Sequence, residues 1–294
     1  MKKYIALAAV YASSASLVSA ASVLIDFNTD DAGDILLAGT GAPGTGISIG
    51  TAGDGTPTGV TTNPDTSVTT NPTKTQPYRN IYSSLGVGIG GITFTDTTNV
   101  LTLYNSDGNG GNDEDLEANG GFSGGNGDST GGYGNLLIHQ TNNAGQAGVN
   151  DVDDPNDDGD GGSLVINSDI PLVEFEFSYI DLDNGGVAAS EITFTDTFSG
   201  EFVTISFAAL EGASGSIFST TGVDFDNDHA NDVEAITLAE LQTENSALTQ
   251  FDEITILTDG SGGLGEFTVV TVPEPSSSLL IALGALSFTL RRRR

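Results

Sequence analysis

Short apolar runs, in which polar residues often alternate with apolar ones, recur along the chain and are separated by clusters of Gly, Asn and Asp. The clearest run covers residues 173–179, where every second side chain is Val, Phe or Tyr and the residues between them are Glu or Ser. Side chains alternate across a β-strand, so this period predicts one face in a core and one in water. The other predicted strands are 22–27, 92–95, 100–104, 135–140, 163–166, 192–195, 203–207, 254–257 and 267–270.

The turns between these runs predict how neighbouring strands connect. Ser199-Gly200 between 192–195 and 203–207 predicts a hairpin, and the Gly-rich segment 260–265 predicts a second one. Only residues 237–248 predict a helix, because Thr237 and Glu240 have the spacing of a capping box. We expect an all-β fold, an antiparallel two-sheet sandwich of jelly-roll type with long Gly/Asp/Asn-rich loops.

The charge of the chain is concentrated in the part between its two ends. There are 40 acidic and 8 basic residues, and six of the basic residues are Lys2, Lys3 and Arg291 to Arg294. Residues 21–272 therefore hold 39 acids against Lys74 and Arg79, a net charge of −37. This balance excludes nucleic-acid binding, which needs Lys and Arg on the contact face, and adhesion to anionic lipid. The absence of Cys excludes disulfides and thiolate chemistry.

The N-terminal end has the features of a secretory signal peptide. Lys2 and Lys3 precede an apolar stretch that ends in the small residues Val18-Ser19-Ala20. We expect signal peptidase to cleave near Ala20, which gives a signal peptide at 1–20 and an ectodomain at 21–271. Within the ectodomain, residues 38–80 are rich in Gly, Thr and Pro and predict a long loop region.

The C-terminal end combines three elements in a fixed order. Pro273-Glu274-Pro275 comes first, followed by the apolar segment 276–290 and then by Arg291, Arg292, Arg293 and Arg294. A helix of 15 residues spans about 22 Å, short of the roughly 30 Å hydrocarbon core. Snorkelling of the arginines accommodates that difference, and their charge keeps this end cytoplasmic as a stop-transfer signal.

This tail, residues 272–294, resembles the PEP-CTERM sorting signal of exported bacterial proteins, which is also labelled an ice-binding protein C-terminal motif. The resemblance implies that an exosortase-type enzyme recognises Pro273, Glu274 and Pro275 and removes the hydrophobic helix. The chain would then cross the inner membrane, be anchored there transiently, and reach the cell surface or the extracellular matrix. Exopolysaccharide would be a partner at that destination.

One acidic loop has the spacing of a calcium site. Calcium prefers six to eight hard oxygen ligands and needs a Gly where the loop turns sharply, and Gly159 stands at that position. An EF-hand is excluded because the residue at loop position 12 is Val165; the spacing instead resembles shorter calcium loops of the dockerin type. The predicted calcium ligands are Asp154, Asn156, Asp158 and Asp160, with Asp181 and Asp183 as residues that share the same ion.

Two further clusters are weaker candidates for a calcium site. One has no fixed register, and the other has His229 where the turn requires Gly. The alternative for all of these loops is a solvated acidic surface with Asp and Asn capping the turns. The weaker candidates are Asp107, Asn109, Asp113 and Asp115 in the first cluster, and Asp224, Asp226 and Asp228 in the second.

The central part of the chain also resembles a known type of module. The runs around residues 103–107, 113–117, 134–138, 154–160 and 179–183 are similar to a recurring, uncharacterised β-sandwich module of secreted bacterial proteins. The likeness covers roughly residues 90 to 190 and implies a fold, without an activity.

The residues give little support to catalysis. His139 and His229 are the two histidines, and His139 follows an apolar run that predicts a packed position. There is no Gly-x-Ser-x-Gly nucleophile elbow. We therefore expect a non-enzymatic surface or matrix protein, with a polysaccharide-binding module and a polysaccharide-active enzyme as alternatives. Exposed Tyr or Phe on one sheet face beside a calcium loop would favour the polysaccharide-binding module. The pairs Thr93/Thr95 and Thr193/Thr195 are too few to predict an ice-binding face.

Overall fold

The computed structural model describes a subset of the chain, and within it we find thirteen strands and two short helices. The described residues are 20–28, 48–49, 51–52, 78–79, 82, 91–96, 100–106, 116, 134–140, 161–180, 182, 186–212, 216–220, 222–223, 225 and 230–272. The strands are β1 (Ser22–Ile25), β2 (Ser48–Ile49), β3 (Thr51–Ala52), β4 (Tyr78–Arg79), β5 (Ile92–Asp96), β6 (Val100–Asn105), β7 (Asn135–Gln140), β8 (Gly162–Ile180), β9 (Glu191–Asp196), β10 (Glu201–Ser206), β11 (Ala230–Thr237), β12 (Phe251–Thr258) and β13 (Gly263–Thr271). The helices are α1 (Phe207–Leu210) and α2 (Leu238–Glu244).

Strand β8 belongs to both layers of the fold. Its first part pairs with β12 and β5, and its second part pairs with β11 and β13. The front layer therefore has the order β10-β9-β12-β8-β5-β3, and the back layer has the order β11-β8-β13-β7-β6-β2-β4, with β1 also on β13. Most pairs are antiparallel, whereas the short β2–β4 and β3–β5 pairs are parallel.

The two layers pack face to face through aromatic side chains. Phe94 of the front layer and Phe267 of the back layer have ring centroids 6.1 Å apart, and Phe175 and Phe194 make a second contact of 6.1 Å. All four rings are buried. Such edge-to-face and tilted rings between two layers form a sandwich core, which confirms the all-β fold expected from the alternating pattern.

A second, smaller apolar cluster lies on the outer face of the back layer. Tyr104, Leu136, Ile138 and Ile180 point away from the main core, and Leu116 completes the cluster. All five side chains are buried. A strand that is buried on both faces lacks the alternation of apolar and polar residues. This explains why β7 is apolar at every position from Leu136 to Ile138.

Several sequence predictions differ from the structure. The hairpin predicted across residues 260–265 is wrong, because β12 and β13 pair with opposite parts of β8 and not with each other. The runs 163–166 and 173–179 belong to the single 19-residue strand β8. The hairpin at Ser199-Gly200 is confirmed, and β11 was not predicted. Part of the predicted loop region 38–80 forms the short strands β2, β3 and β4.

The two predicted export signals lie outside the described residues. The signal peptide region 1–19 and the tail from Pro273 onward are both in this group. In the part of the chain that the structure describes, neither helix is long and apolar enough to cross a membrane.

Candidate functional site

Three of the predicted acidic segments meet the sandwich at one end, which we call the acidic end. It consists of Gly162, Ile180, Ala230, Thr258 and Gly263, the terminal residues of four strands. Gly162 pairs with Thr258, and Ile180 pairs with both Gly263 and Ala230. Partner Cα atoms in antiparallel strands lie about 4.5 to 5.5 Å apart. The two groups are joined because a Cβ atom at Gly162 would meet the ring of His139, and the adjacent Ile138 pairs with Gly263. These strand ends are therefore close neighbours.

The chain places one acidic segment next to each of three of these strand ends. Asp160 comes two residues before Gly162, Asp181 follows Ile180 directly, and Asp228 comes two residues before Ala230. These three segments are 154–160, 181–183 and 224–228, and their predicted ligands lie outside the described residues. The described strand ends beside all three segments are neighbours, and the sharing of one ion by 154–160 and 181–183 stays a prediction.

The segment beginning at Asp107 leaves the sandwich at one place and rejoins it at another. It follows Ser106, whose backbone N–H donates to the carbonyl oxygen of Gly134 at 2.8 Å. Asn105 pairs with Asn135 at the start of β7, whereas the acidic end lies next to the other terminus of β7. Leu116, which follows Asp115 directly, packs in one cluster with Ile138 and Ile180, so the chain rejoins the sandwich beside the acidic end. Asp107, Asn109, Asp113 and Asp115 also lie outside the described residues.

Hydrogen bonds hold the backbone at the acidic end. The Gly162 N–H donates to Thr258 Oγ1 at 3.3 Å, and the Asp259 N–H donates to Ser190 Oγ at 3.1 Å. Ser190 Oγ in turn donates to the carbonyl oxygen of Gly186 at 2.8 Å. Gly161 has a φ of 71°, and a Cβ atom there would lie 2.8 Å from the Gly260 nitrogen. The acidic segment 154–160 therefore ends on a fixed backbone support.

A buried histidine–carboxylate pair lies beside this support. Nδ1 of His139 is 2.5 Å from Oδ2 of Asp96, and the two side chains are 8% and 0% exposed. Asp96 points inward because it continues the buried face of β5 after Ile92 and Phe94. His139 shares the core face of β7 with Leu137, as the apolar run predicted. The pair links the front layer to the back layer and is closed off from bulk solvent.

The outer face of the back layer carries a separate group of carboxylates. Burial and the negative charges of Asp232, Asp26 and Glu176 raise the pKa of the Glu266 carboxyl. Ser178 Oγ donates to Asp232 Oδ1 at 2.7 Å beside this group. Among the described residues no three His, Cys, Asp or Glu side chains are arranged to hold a metal ion. This face is a source of repulsion within the fold.

Threonine is frequent on the outer face of the front layer. Thr204, Thr193, Thr255, Val165 and Thr95 occupy one row across five strands, and the hydroxyl groups of Thr193 and Thr204 are 2.9 Å apart. β-branched residues favour such half-exposed strand positions. Strand propensity therefore accounts for this row.

Exposed aromatic rings lie at the opposite end from the acidic segments. Phe198, in the turn between β9 and β10, is 94% exposed, and Phe202 of β10 is 59% exposed. The described tyrosines Tyr82, Tyr104 and Tyr179 are buried. The sequence pattern did not single out either Phe, although Phe202 stands at an outward position of its alternating strand. The polysaccharide-binding alternative required exposed rings beside a calcium loop, whereas these two rings lie at the end opposite the acidic end.

The comparison with protein families identifies the C-terminal tail. The model of the PEP-CTERM protein-sorting motif matches residues 271–294. The match includes Pro273, Glu274 and Pro275, the apolar segment and the terminal arginines. No curated protein matches the chain.

Proposed function

The chain ends in a PEP-CTERM protein-sorting motif, and from that premise we propose that it is a non-enzymatic cell-surface or matrix protein whose β-sandwich is stabilised by calcium. The motif supports export and processing by an exosortase-type enzyme. Calcium stabilisation is supported chiefly by the acidic end, where the strand ends that adjoin segments 154–160, 181–183 and 224–228 lie together.

Repulsion between carboxylates supports the choice of a cation. Residues 21–272 contain 39 acids and two bases, so Lys and Arg cannot neutralise three acidic segments at one end of the fold. The candidate donors are carboxylate and amide oxygens, which are the ligands that calcium prefers. In this proposal Asp154, Asn156, Asp158 and Asp160 are the principal ligands, and Asp181 and Asp183 complete their coordination. Asp224, Asp226 and Asp228 provide further charge at the same end.

The environment of His139 supports a non-enzymatic role. Its imidazole contacts a fully buried Asp96 and packs against Gly162, which leaves little room for a substrate. A general base must reach the proton that it removes. We therefore assign the pair to the stability of the sandwich.

Calorimetry of the EDTA-treated full-length protein tests calcium binding. We expect binding heat at micromolar to millimolar calcium, and we expect the double variant Asp158→Asn/Asp160→Asn to lose most of it. The matched control is Glu174→Gln/Glu253→Gln, which removes the same charge from positions on β8 and β12 that lie at least five residues from the acidic end. The absence of binding heat at millimolar calcium, or equal loss in both variants, would contradict the proposal.

Cell fractionation tests the proposed delivery. In a host with an exosortase, we expect the wild-type chain to lose its tail and reach the surface or the medium. Replacement of Pro273, Glu274 and Pro275 by Ala is expected to leave the full-length chain in the inner membrane. Equal processing of both proteins would show that the motif does not direct this step.

A further inference from the structure

A shallow trough runs along the edge strand of the front layer. It has a volume of about 370 Å³ and lies between β10, helix α1, residues 216–218 and the end of α2. Its surface combines one exposed aromatic ring with hydroxyl, carboxylate and amide groups. The side chains that carry the argument are Phe202, Thr204, Ser206, Ser216, Glu244 and Asn245.

The backbone of β10 also faces this trough. Among the described strands, β10 pairs only with β9, and the Phe207 N–H donates to the carbonyl oxygen of Ser190 at 3.0 Å. Hydrogen-bonded pairs alternate along an antiparallel ladder, so the N–H and C=O groups of Thr204 point away from β9. Phe202 has the same orientation, since its carbonyl oxygen accepts a hydrogen bond from Asn245 Nδ2 at 3.2 Å.

The trough is held in shape by Asn245 at the end of α2. Its Nδ2 group donates to Glu201 Oε2 at 2.8 Å as well as to Phe202, and its Oδ1 accepts the Ala247 N–H at 3.0 Å. The two contacts of Nδ2 connect α2 to the edge of β10, and the third fixes the turn that follows α2. The Phe202 ring is therefore presented on a supported surface and keeps 59% of its area in solvent.

The chemistry of the lining selects a class of ligand. Glu244 and the neighbouring Glu201 are acidic, and the trough has no Lys or Arg among its lining residues, so an anionic chain is repelled. A sugar ring offers an apolar C–H face for Phe202 and hydroxyl groups for the carboxylate, the Ser side chains and the Thr204 backbone. We propose that this trough binds a neutral polysaccharide chain, a role that rests on the exported location in the proposed function.

Affinity electrophoresis of the full-length protein tests this proposal. In native gels containing hydroxyethylcellulose, galactomannan or xylan, we expect retardation by at least one neutral polymer and none by alginate. The Phe202→Ala variant is expected to bind about tenfold more weakly, as the loss of one stacked ring predicts. Leu24→Ala is the matched control, because Leu24 is 57% exposed on the other layer.

The outcomes separate this proposal from its competitors. No retardation by any neutral polymer, stronger retardation by alginate, or equal binding of wild type and Phe202→Ala would overturn it. A dimer that forms in sedimentation experiments and is lost in Phe202→Ala would overturn it in favour of a second copy on the β10 edge. Glycan binding that persists in EDTA supports the trough even if calcium binding fails, since the trough and the acidic end are separate.

Discussion

The imidazole of His139 and the carboxylate of Asp96 join the two layers of the sandwich, with Nδ1 and Oδ2 2.5 Å apart. Both side chains are buried, so neither can exchange its partner for water. Removing one member of a buried pair leaves the other without compensation. The contact therefore stabilises the acidic end of the fold.

We expect Asp96→Ala to lower the free energy of unfolding by about 3 kcal/mol or more. The reason is that His139 would lose its partner inside the core. Urea denaturation of the full-length protein measures the change. Asp252→Ala is the control, since Asp252 binds Thr197 at an exposed position and its loss is expected to cost about 1 kcal/mol or less. Equal costs for the two variants would show that the buried pair is not stabilising.

Gly162 is required by the position of the His139 ring. A Cβ atom at residue 162 would lie 2.7 Å from Cε1 and 2.8 Å from Cγ of that ring. We expect Gly162→Ala to cost about 1 to 3 kcal/mol. In a double-mutant cycle with His139→Ala, the cost of Gly162→Ala is expected to fall by at least about 0.5 kcal/mol. Additive effects in that cycle would place the cause of the destabilisation elsewhere.

Glu266 provides a pH-dependent prediction. Burial and three neighbouring carboxylates raise the pKa of Glu266 in the folded state, so its favourable contribution exists at low pH and is lost as pH rises through that pKa. Glu266→Gln is therefore expected to stabilise the protein at pH 7, by less than about 1 kcal/mol because the site is exposed, and to have no effect below about pH 4. Urea denaturation at both pH values measures this, and the stabilisation at pH 7 is expected to shrink in 1 M salt, which screens the repulsion. A variant less stable than wild type at pH 7 would contradict the sign.

The capping box of α2 allows a local test. The Glu240 N–H donates to Thr237 Oγ1 at 3.3 Å, and the Thr237 N–H donates to Glu240 Oε2 at 2.8 Å. Thr237→Ala is expected to cost about 1 kcal/mol in thermal or urea unfolding. Thr243→Ala, at an exposed position of the same helix, should stay within about 0.5 kcal/mol of wild type. A larger loss of stability in Thr243→Ala than in Thr237→Ala would show that the capping box is not the main local contribution to the stability of this helix.

Local patterns in the sequence were sufficient for much of the fold. Alternation located most strands, and the spacing of Thr237 and Glu240 predicted α2, whereas α1 was not predicted. Both features depend on residues close together in the chain. The hairpin across 260–265 was wrong because strand pairing is decided by the whole core, and β8 offers partners to β12 and β13 on separate segments.

The candidate sites also combine features that local sequence predicts with features that depend on distant parts of the chain. Asp/Asn/Gly spacing predicted the acidic segments. The sequence did not predict that the strand ends beside them lie together, because this depends on the residues with which Gly162 and Ile180 pair. Asp96 was not predicted as a partner of His139 because 43 residues separate them. The Phe202 trough requires elements from three parts of the chain, and a single outward Phe in a strand is too common a signal to indicate a site.

The thermal midpoint of the full-length protein in calcium and in EDTA tests the calcium proposal most directly. A bound ion stabilises by about 2.7 kcal/mol at a hundredfold excess over Kd, which corresponds to a rise in Tm of roughly 5 to 10 °C for a domain of this size. We predict such a rise with calcium, a smaller one with magnesium, and none in the Asp158→Asn/Asp160→Asn variant. An identical Tm in saturating calcium and in EDTA would contradict the account and leave the acidic segments as a solvated surface.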